Sequence, residues 1–188
     1  VLKCANLTFK FTNNTYRGCL SYCPLQILNA TKNITLYEDN TTWTCVSVCP
    51  LGYYAFAHPT DTTIRKCVKM CQIIAGVYYF ADDITRSCVT ECPKKVHNTW
   101  GDRVTFKCVK TCSRKQYRDI TTKQCTYSCP DSPVEYFADN STWNCTKKCP
   151  KGTYAESTNN TCVKQCPTNY FGYQQKCLSQ CPAGTSVF

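Results

Sequence analysis

The sequence is poor in the side chains from which large hydrophobic cores are built. Leu, Ile, Val and Phe together account for 35 of its 188 residues, and it contains one Met and only two His. No run of eighteen apolar residues occurs, which excludes a membrane-spanning helix within this segment. With a formal net charge of +10, so low an aliphatic content argues against a large enzyme domain with a single core.

Cysteine is abundant instead, with 19 residues. Apart from Cys4, every cysteine belongs to a pair that reads Cys, three residues, Cys. Successive pairs begin roughly twenty residues apart, and self-similarity at this period is typical of a repeat array. The pairs are Cys19/Cys23, Cys45/Cys49, Cys67/Cys71, Cys88/Cys92, Cys108/Cys112, Cys125/Cys129, Cys145/Cys149, Cys162/Cys166 and Cys177/Cys181.

The residues between the pairs repeat as well. Pro usually follows the second cysteine of a pair, and a Gly stands two residues further on at Gly52, Gly152 and Gly184. A Tyr precedes many pairs by eight or nine residues, with turn formers between, at Tyr37, Tyr79, Tyr117, Tyr136 and Tyr154. This pattern predicts a short strand carrying Tyr, a polar turn, and a short strand carrying Cys. Each unit is then a small hairpin, too short to be stable alone in water.

The run Cys-x-x-x-Cys-Pro, followed by Gly, Tyr and the next Cys pair, resembles the furin-like, growth-factor-receptor type of cysteine-rich repeat. The resemblance covers essentially the whole chain. The pattern of repeated cysteine pairs is also similar to that of cysteine-rich surface proteins of protists. It implies a rod of small modules in which the second Cys of one pair bonds the first Cys of the next. Pro is missing after Cys71 and Cys112, where the chain departs from the motif.

Carried over to this chain, the resemblance implies a ladder of disulfides. The implied pairs are Cys4–Cys19, Cys23–Cys45, Cys49–Cys67, Cys71–Cys88, Cys92–Cys108, Cys112–Cys125, Cys129–Cys145, Cys149–Cys162 and Cys166–Cys177. Sequence alone does not fix connectivity. The main rival bonds two neighbouring pairs first to third and second to fourth, and nine pairs cannot be divided in that way.

The ladder leaves Cys181 unpaired or in an intermolecular bond. The opening Val1-Leu2-Lys3-Cys4 matches the interior of a Cys-Val-x-x-Cys motif. We therefore expect residues 1–188 to be one continuous cysteine-rich array, broken into modules near each pair, and an excerpt of a longer chain or a protomer joined covalently to the next.

Cysteine pairs at this spacing also occur in zinc sites. However, His58 and His97 do not lie at ligand spacing from a pair, and nine evenly repeated pairs would need a string of metal clusters. We expect no metal and no cofactor other than N-linked glycans.

Eight Asn-x-Ser/Thr sequons, together with disulfide-type cysteines, predict passage through a secretory pathway and an extracellular or cell-surface location. The acceptors are Asn6, Asn13, Asn29, Asn33, Asn40, Asn140, Asn144 and Asn159. Asn144 is the weakest of them because its middle residue, Cys145, belongs to a pair.

No sequon lies between residues 41 and 139, and this bare region is basic. It is either a solvated face or a glycan-free contact surface for another copy of the chain, another surface glycoprotein or an acidic polysaccharide. Nucleic acid is not expected as a partner outside the cell. The residues of the candidate contact surface are Arg65, Lys66, Lys69, Arg86, Lys94, Lys95, Arg103, Lys107, Lys110, Arg114, Lys115, Arg118 and Lys123.

The sequence contains no motif that indicates catalysis. It has no phosphate loop, nucleophile elbow or zincin motif, and its carboxylates are spread thinly through turns. Trp43, Trp100 and Trp143 each precede a cysteine pair, where they would pack on a disulfide or a neighbouring module, or stack on sugar. We expect a protein that is not an enzyme.

The predicted fold is small, disulfide-rich and mostly β or irregular, an elongated tandem array of about nine short hairpin modules. The function predicted from it is that of an extracellular, glycosylated, structural or adhesive rod protein, part of a surface coat or a filament. The alternatives are a segment of a membrane-receptor ectodomain and, with less support, a secreted protein resembling a protease inhibitor.

Overall fold

The structure is a computed structural model that describes residues 9–12, 17–29, 32–93 and 98–184. Within these ranges the regular secondary structure consists of short β-strands. The chain groups into two compact units, Val1–Cys92 with Phe106–Cys108, and Pro93–Thr105 with Val109–Phe188. The predicted class of small, disulfide-linked β modules is confirmed.

The strands are numbered in chain order. The first unit contains β1 Phe9–Thr12, β2 Arg17–Leu20, β3 Gln26–Asn29, β4 Lys32–Thr35, β5 Tyr37–Asp39, β6 Thr44–Val46, β7 Tyr54–Ala57, β8 Arg65–Val68, β9 Ile73–Ile74, β10 Val77–Tyr78, β11 Phe80–Asp82, β12 Ser87–Val89 and most of β14 Lys107–Val109. The second unit contains β13 Trp100–Asp102, β15 Tyr117–Asp119, β16 Gln124–Thr126, β17 Phe137–Asp139, β18 Asn144–Thr146, β19 Tyr154–Glu156, β20 Thr161–Val163, β21 Phe171–Tyr173 and β22 Lys176–Leu178.

In the first unit, consecutive strands pair as antiparallel hairpins and each hairpin also contacts the next. Within hairpin β5–β6, for example, Glu38 lies opposite Cys45. The first strand of a hairpin then pairs in parallel with the second strand of the following hairpin, as Glu38 does with Lys66. The same rule joins Ala55 to Ser87. Each short hairpin therefore completes its hydrogen bonding on its neighbour.

The second unit follows the same rule. Arg118 pairs in parallel with Asn144, and Ala138 with Thr161. At each of these steps a strand N–H also donates to a turn carbonyl of the next hairpin, as Arg118 does to Trp143 at 2.8 Å. This regularity has the form expected of a repeat in which each module contacts its neighbours.

Two hairpins of the first unit interrupt this plan. They are β3–β4 and β9–β10, which lie inside the Cys23–Cys45 and Cys71–Cys88 intervals. The sequence predicts one hairpin per interval, and these two intervals contain a second one. The β9–β10 turn uses Ala75 and Gly76 at φ 49° and 78°, which is the type I′ geometry that suits the twist of a two-residue hairpin loop.

Apolar side chains form small separate clusters, and half-cystines belong to each of them. In the first unit Tyr54, Phe56 and Tyr79 pack with Cys71. Phe56 and Tyr79 meet edge to face at 5.5 Å. In the second unit the clusters form around Cys129 and Cys145 and around Cys149 and Cys162. Disulfides thus occupy core positions that aliphatic side chains fill in larger domains.

Candidate functional surface

The structure brings the cysteines together in consecutive pairs along the chain. Its eight described bridges are Cys23–Cys45, Cys49–Cys67, Cys71–Cys88, Cys92–Cys108, Cys112–Cys125, Cys129–Cys145, Cys149–Cys162 and Cys166–Cys177. These are the pairs that the repeat resemblance implies. Cys19 is also disulfide-bonded, and Cys4, the partner implied for it, lies outside the described residues. Cys181 is the free cysteine of the described part of the chain and is half-buried.

A buried carboxylate closes six hairpin turns, a feature that sequence reasoning missed. In the turn after β15, Asp119 Oδ1 accepts hydrogen bonds from the Thr121 N–H at 2.8 Å and the Thr121 hydroxyl at 2.6 Å, and Oδ2 accepts from the Thr122 hydroxyl at 2.6 Å. This is the Asx-turn geometry. A sequence signal was available, because five Asp residues each precede a Thr by three positions and Glu156 precedes Asn159 in the same way. The capping residues are Asp39, Asp82, Asp102, Asp119, Asp139 and Glu156.

Two opposing effects set the pKa of these carboxyls. For Asp39, Asp119 and Asp139, burial raises the pKa, but the hydrogen bonds from the Thr or Ser residues two and three positions later together outweigh it and lower the pKa. The same balance lowers the pKa of Glu156. These acids therefore favour the ionised form and act as structural caps of the turns.

Hydrogen bonds from Tyr hydroxyls link neighbouring hairpins in both units. In the first unit the Tyr54 hydroxyl donates to the Asp83 carboxylate, a hydrogen bond that, with burial, raises the pKa of Tyr54 to about 12. In the second unit the Tyr117 hydroxyl donates to Asn140 Oδ1 at 2.5 Å. Both bonds run from the first residue of a strand to the residue that follows the capping Asp of the next hairpin.

The sequons occupy different structural positions. Asn6 and Asn13 lie outside the described residues. Asn29 belongs to β3, and Asn33 is exposed on β4. Asn40 and Asn140 are exposed at hairpin tips, Asn144 is half-buried within β18, and Asn159 is exposed in the turn after β19.

The thirteen basic residues of the candidate contact surface do not all lie on the surface. Arg65 is buried, and its guanidinium donates to the carbonyls of Leu36 at 3.0 Å and Cys23 at 2.7 Å. Its inclusion was wrong, because these bonds make it an internal brace between hairpins. Arg86 is half-buried and donates to the Cys49 carbonyl at 2.5 Å. Lys94 and Lys95 lie outside the described residues.

The other basic residues are exposed or half-buried, and two of them converge. Lys66, Lys69 and Lys107 are exposed in the first unit. The second unit exposes Arg103, Lys110, Arg114 and Lys115. In the same unit, half-buried Arg118 and Lys123 approach the ring of Trp100.

Trp100 forms the floor of a groove in the second unit. The Lys123 ammonium lies 4.4 Å and the Arg118 guanidinium carbon 6.0 Å from its ring centroid, both within cation–π range. The groove has a volume of about 730 Å³ and is also lined by Asn98 and Lys147, neither of which sequence analysis selected. The Trp100 indole N–H is buried without a hydrogen-bond partner among the described residues. This arrangement suits an anionic polar ligand better than an apolar one.

The described residues contain no group of three or more His, Cys, Asp or Glu side chains arranged to hold a metal ion. His58 lies in the loop between β7 and β8, where its Nδ1 accepts a hydrogen bond from the Asp61 N–H at 3.1 Å. His97 lies outside the described residues. Within the described ranges, the chain has no helix that is long and apolar enough to cross a membrane.

Part of the chain is similar to proprotein convertase subtilisin/kexin type 6 of Rattus norvegicus, with 28% identity over 108 residues. The match covers 52% of this chain and 11% of the convertase, so the activity of that whole protein does not transfer. No family model matches the chain, and no solved structure matches it. The similarity and the disulfide-linked hairpins fit a furin-like cysteine-rich repeat. They indicate an extracellular or secreted domain with a non-catalytic, disulfide-rich repeat architecture.

Proposed function

We propose that the chain is a glycosylated structural or adhesive rod that forms part of an extracellular coat or filament. The observation that carries this proposal is the repeated step within each unit, in which a parallel strand pair and a disulfide join each hairpin to its neighbours. A module that contacts only its neighbours adds length without requiring a growing core. Covalent links at every step suit a material that must resist proteolysis and pulling.

Copies of the same chain are the proposed partners. A head-to-tail contact propagates into a filament whenever its rotation does not close. Cys181 has a free, half-buried thiol. Because the other described cysteines are bonded, a disulfide between copies joins Cys181 to the Cys181 of a second copy, and we assign it the role of a tail-to-tail bridge between two copies.

Electron microscopy of the full secreted chain under non-reducing conditions tests the proposal. We expect rods or filaments, and a Cys181→Ser variant should lose the disulfide-linked pairs of rods if the bridge joins copies. Filaments that persist in this variant would mean that assembly is non-covalent. Compact globules in both samples would contradict the structural role.

An acidic polysaccharide is a second candidate partner, and the Trp100 groove favours it. Arg118, Lys123 and Lys147 line this groove, and the sulfate or carboxylate groups of a sugar would meet these three cations above the buried Trp100 ring. Retention on dextran sulfate should fall with added salt and with Lys123→Gln, but not with Lys115→Gln, which alters an exposed lysine outside the groove. Equal retention of both variants would exclude the groove as the binding site.

A further inference from the structure

Asn140 stands on a rigid hairpin tip. It is exposed and begins the sequon Asn140-Ser141-Thr142 between β17 and β18. Asp139 holds this turn, because its Oδ1 accepts from the Ser141 N–H at 2.9 Å and its Oδ2 accepts from the Thr142 hydroxyl at 2.6 Å. The backbone at the acceptor residue therefore has one defined conformation in the folded protein.

A hydrogen bond to its amide oxygen orients the side chain of Asn140. Its Oδ1 accepts the Tyr117 hydroxyl at 2.5 Å, while Nδ2, the atom to which an N-linked glycan bonds, is the other end of the same amide. Asn159 shows the opposite arrangement, since its Nδ2 donates to Glu156 Oε2 at 3.0 Å. Of these two turn sequons, Asn140 is held through its oxygen, so its Nδ2 remains available for a glycan, whereas the Nδ2 of Asn159 is already engaged in a hydrogen bond.

An aromatic surface lies beside this amide. The rings of Tyr117 and Trp143 stack with centroids 5.4 Å apart and planes 28° apart, and Trp143 remains 44% exposed. The position of Trp143 is fixed by its backbone, whose N–H donates to the Asp139 carbonyl at 2.8 Å and whose carbonyl accepts from the Arg118 N–H at 2.8 Å. An exposed indole is thus held in place on the hairpin that carries the sequon.

A groove of about 450 Å³ continues from Trp143 and is lined by polar residues, including Ser113, Arg114, Gln116 and Arg118. This volume is in the range of pockets that bind small molecules. Its walls offer hydrogen-bond donors and acceptors next to an aromatic face, which is the combination that suits the hydroxyl groups and C–H faces of a sugar ring.

We propose that Tyr117 and Trp143 form a packing platform for an N-glycan on Asn140, whose first sugars lie on Trp143 and cover the groove beside it. The inference rests on the proposed glycosylated, extracellular function. In the attachment step, the Asn140 Nδ2 forms a bond to the sugar C1, the bond from C1 to the diphosphate oxygen of a lipid-linked donor breaks, and Nδ2 loses one proton. The glycan then shields the hairpin and tightens it.

The test compares the same full chain from two oxidising sources, a glycosylating secretory host and the bacterial periplasm, where the chain carries no N-glycan. Peptide mass spectrometry should find a glycan on Asn140. Amide hydrogen exchange in residues 137–146 should be roughly fivefold slower in the glycosylated chain, the factor that a small local stabilisation produces. Asn140→Gln in the glycosylating host should abolish this difference.

Variants of Trp143 test whether its ring is required for the glycan to slow amide exchange. In Trp143→Ala the glycan should no longer slow exchange, whereas Trp143→Tyr should retain most of the protection, because an aromatic face remains. Trp43→Ala and Asn33→Gln, which alter an equivalent turn residue and an exposed sequon of the other unit, should leave residues 137–146 unchanged. Full glycan protection in Trp143→Ala would overturn the platform.

The occupancy data separate this inference from the function on which it rests. An unmodified Asn140 beside a glycosylated Asn33 or Asn40 would overturn the platform and leave the secretory, glycosylated assignment intact. A chain without a glycan on any asparagine would overturn both.

Discussion

Half of the acidic side chains of this basic protein have a structural role, because they cap hairpin turns. The chain has twelve acidic residues, and six of them lie buried in hairpin turns. Each accepts hydrogen bonds from the residues two or three positions later, as Asp139 does from Ser141 and Thr142. A buried carboxylate without such donors would be costly, so the Thr and Ser residues of these turns are as necessary as the acid.

Acid should therefore loosen these turns. The pKa of Asp119 is lower in the folded protein than its ordinary value of 3.8, so its stabilisation is fully present above the unfolded pKa and is lost as the pH falls through the folded pKa. We expect amide exchange in residues 117–126, corrected for intrinsic rates, to accelerate between roughly pH 5 and pH 2.

Substitution separates this effect from general acid unfolding. Asp119→Asn should weaken the turn at neutral pH by about 1.5–3 kcal/mol, the range for hydrogen bonds to a charged group, and should reduce its dependence on pH. Asp131→Asn, at an exposed residue outside these caps, is the control. The role of the cap would be refuted if Asp119→Asn and Asp131→Asn behaved alike.

At the scale of elements, the same turn follows the second Cys of several pairs, with or without glycine. Gly52 and Gly152 have φ of 80° and 83° and close turns in which the next N–H donates to the Pro carbonyl at 3.0 Å. Lys115 fills the equivalent position at φ 67°, where Gln116 N–H donates to the Ser113 carbonyl at 3.0 Å. A side chain at positive φ is strained, and glycine relieves that strain.

Lys115→Gly should stabilise the protein by about 0.5–1 kcal/mol, the strain relieved less the extra entropy that glycine loses on folding. Arg114→Gly is the matched control, because Arg114 is exposed in the same turn and is not among the residues at positive φ. It should be destabilising. Denaturant unfolding with the disulfides intact measures both, and equal effects of the two substitutions would contradict the assigned turn geometry.

Much of this hairpin plan is predictable from the sequence, because it depends on local patterns. Tyr37, Tyr117 and Tyr154 lie on first strands, and the glycines after Cys-Pro take positive φ. The residues that end the hairpin turns were not predictable: Arg86, Lys123 and Trp143 adopt positive φ, although none has the small side chain usual there. Their conformation follows from contacts with the neighbouring hairpin, such as the Arg118–Trp143 hydrogen bond, which a local pattern does not encode.

The candidate contact surface was also only partly predictable from the sequence. The sequence indicates which residues are basic but not which are exposed, so Arg65 was placed on a contact surface although it braces two buried carbonyls. Lys147 was missed because it lies outside the basic stretch of the sequence but lines the Trp100 groove. Only the pairing between hairpins brings these positions together.

At the scale of the whole molecule, the stability of the hairpins depends on covalent links. The buried clusters are small, and in three of the four described clusters half of the buried residues are half-cystines, as at Cys129 and Cys145. In the loop-entropy account, each bridge of this loop length stabilises the folded state by roughly 3 kcal/mol. A chain with so few aliphatic residues would not replace those links by packing alone.

Reduction under otherwise native conditions tests this claim most directly. Circular dichroism and a count of free thiols are followed together while the chain is treated with strong reductant at neutral pH. We predict that the native spectrum is lost in step with the appearance of thiols. A fully reduced chain, with all 19 cysteines titrating as thiols, that keeps its native spectrum would contradict the account.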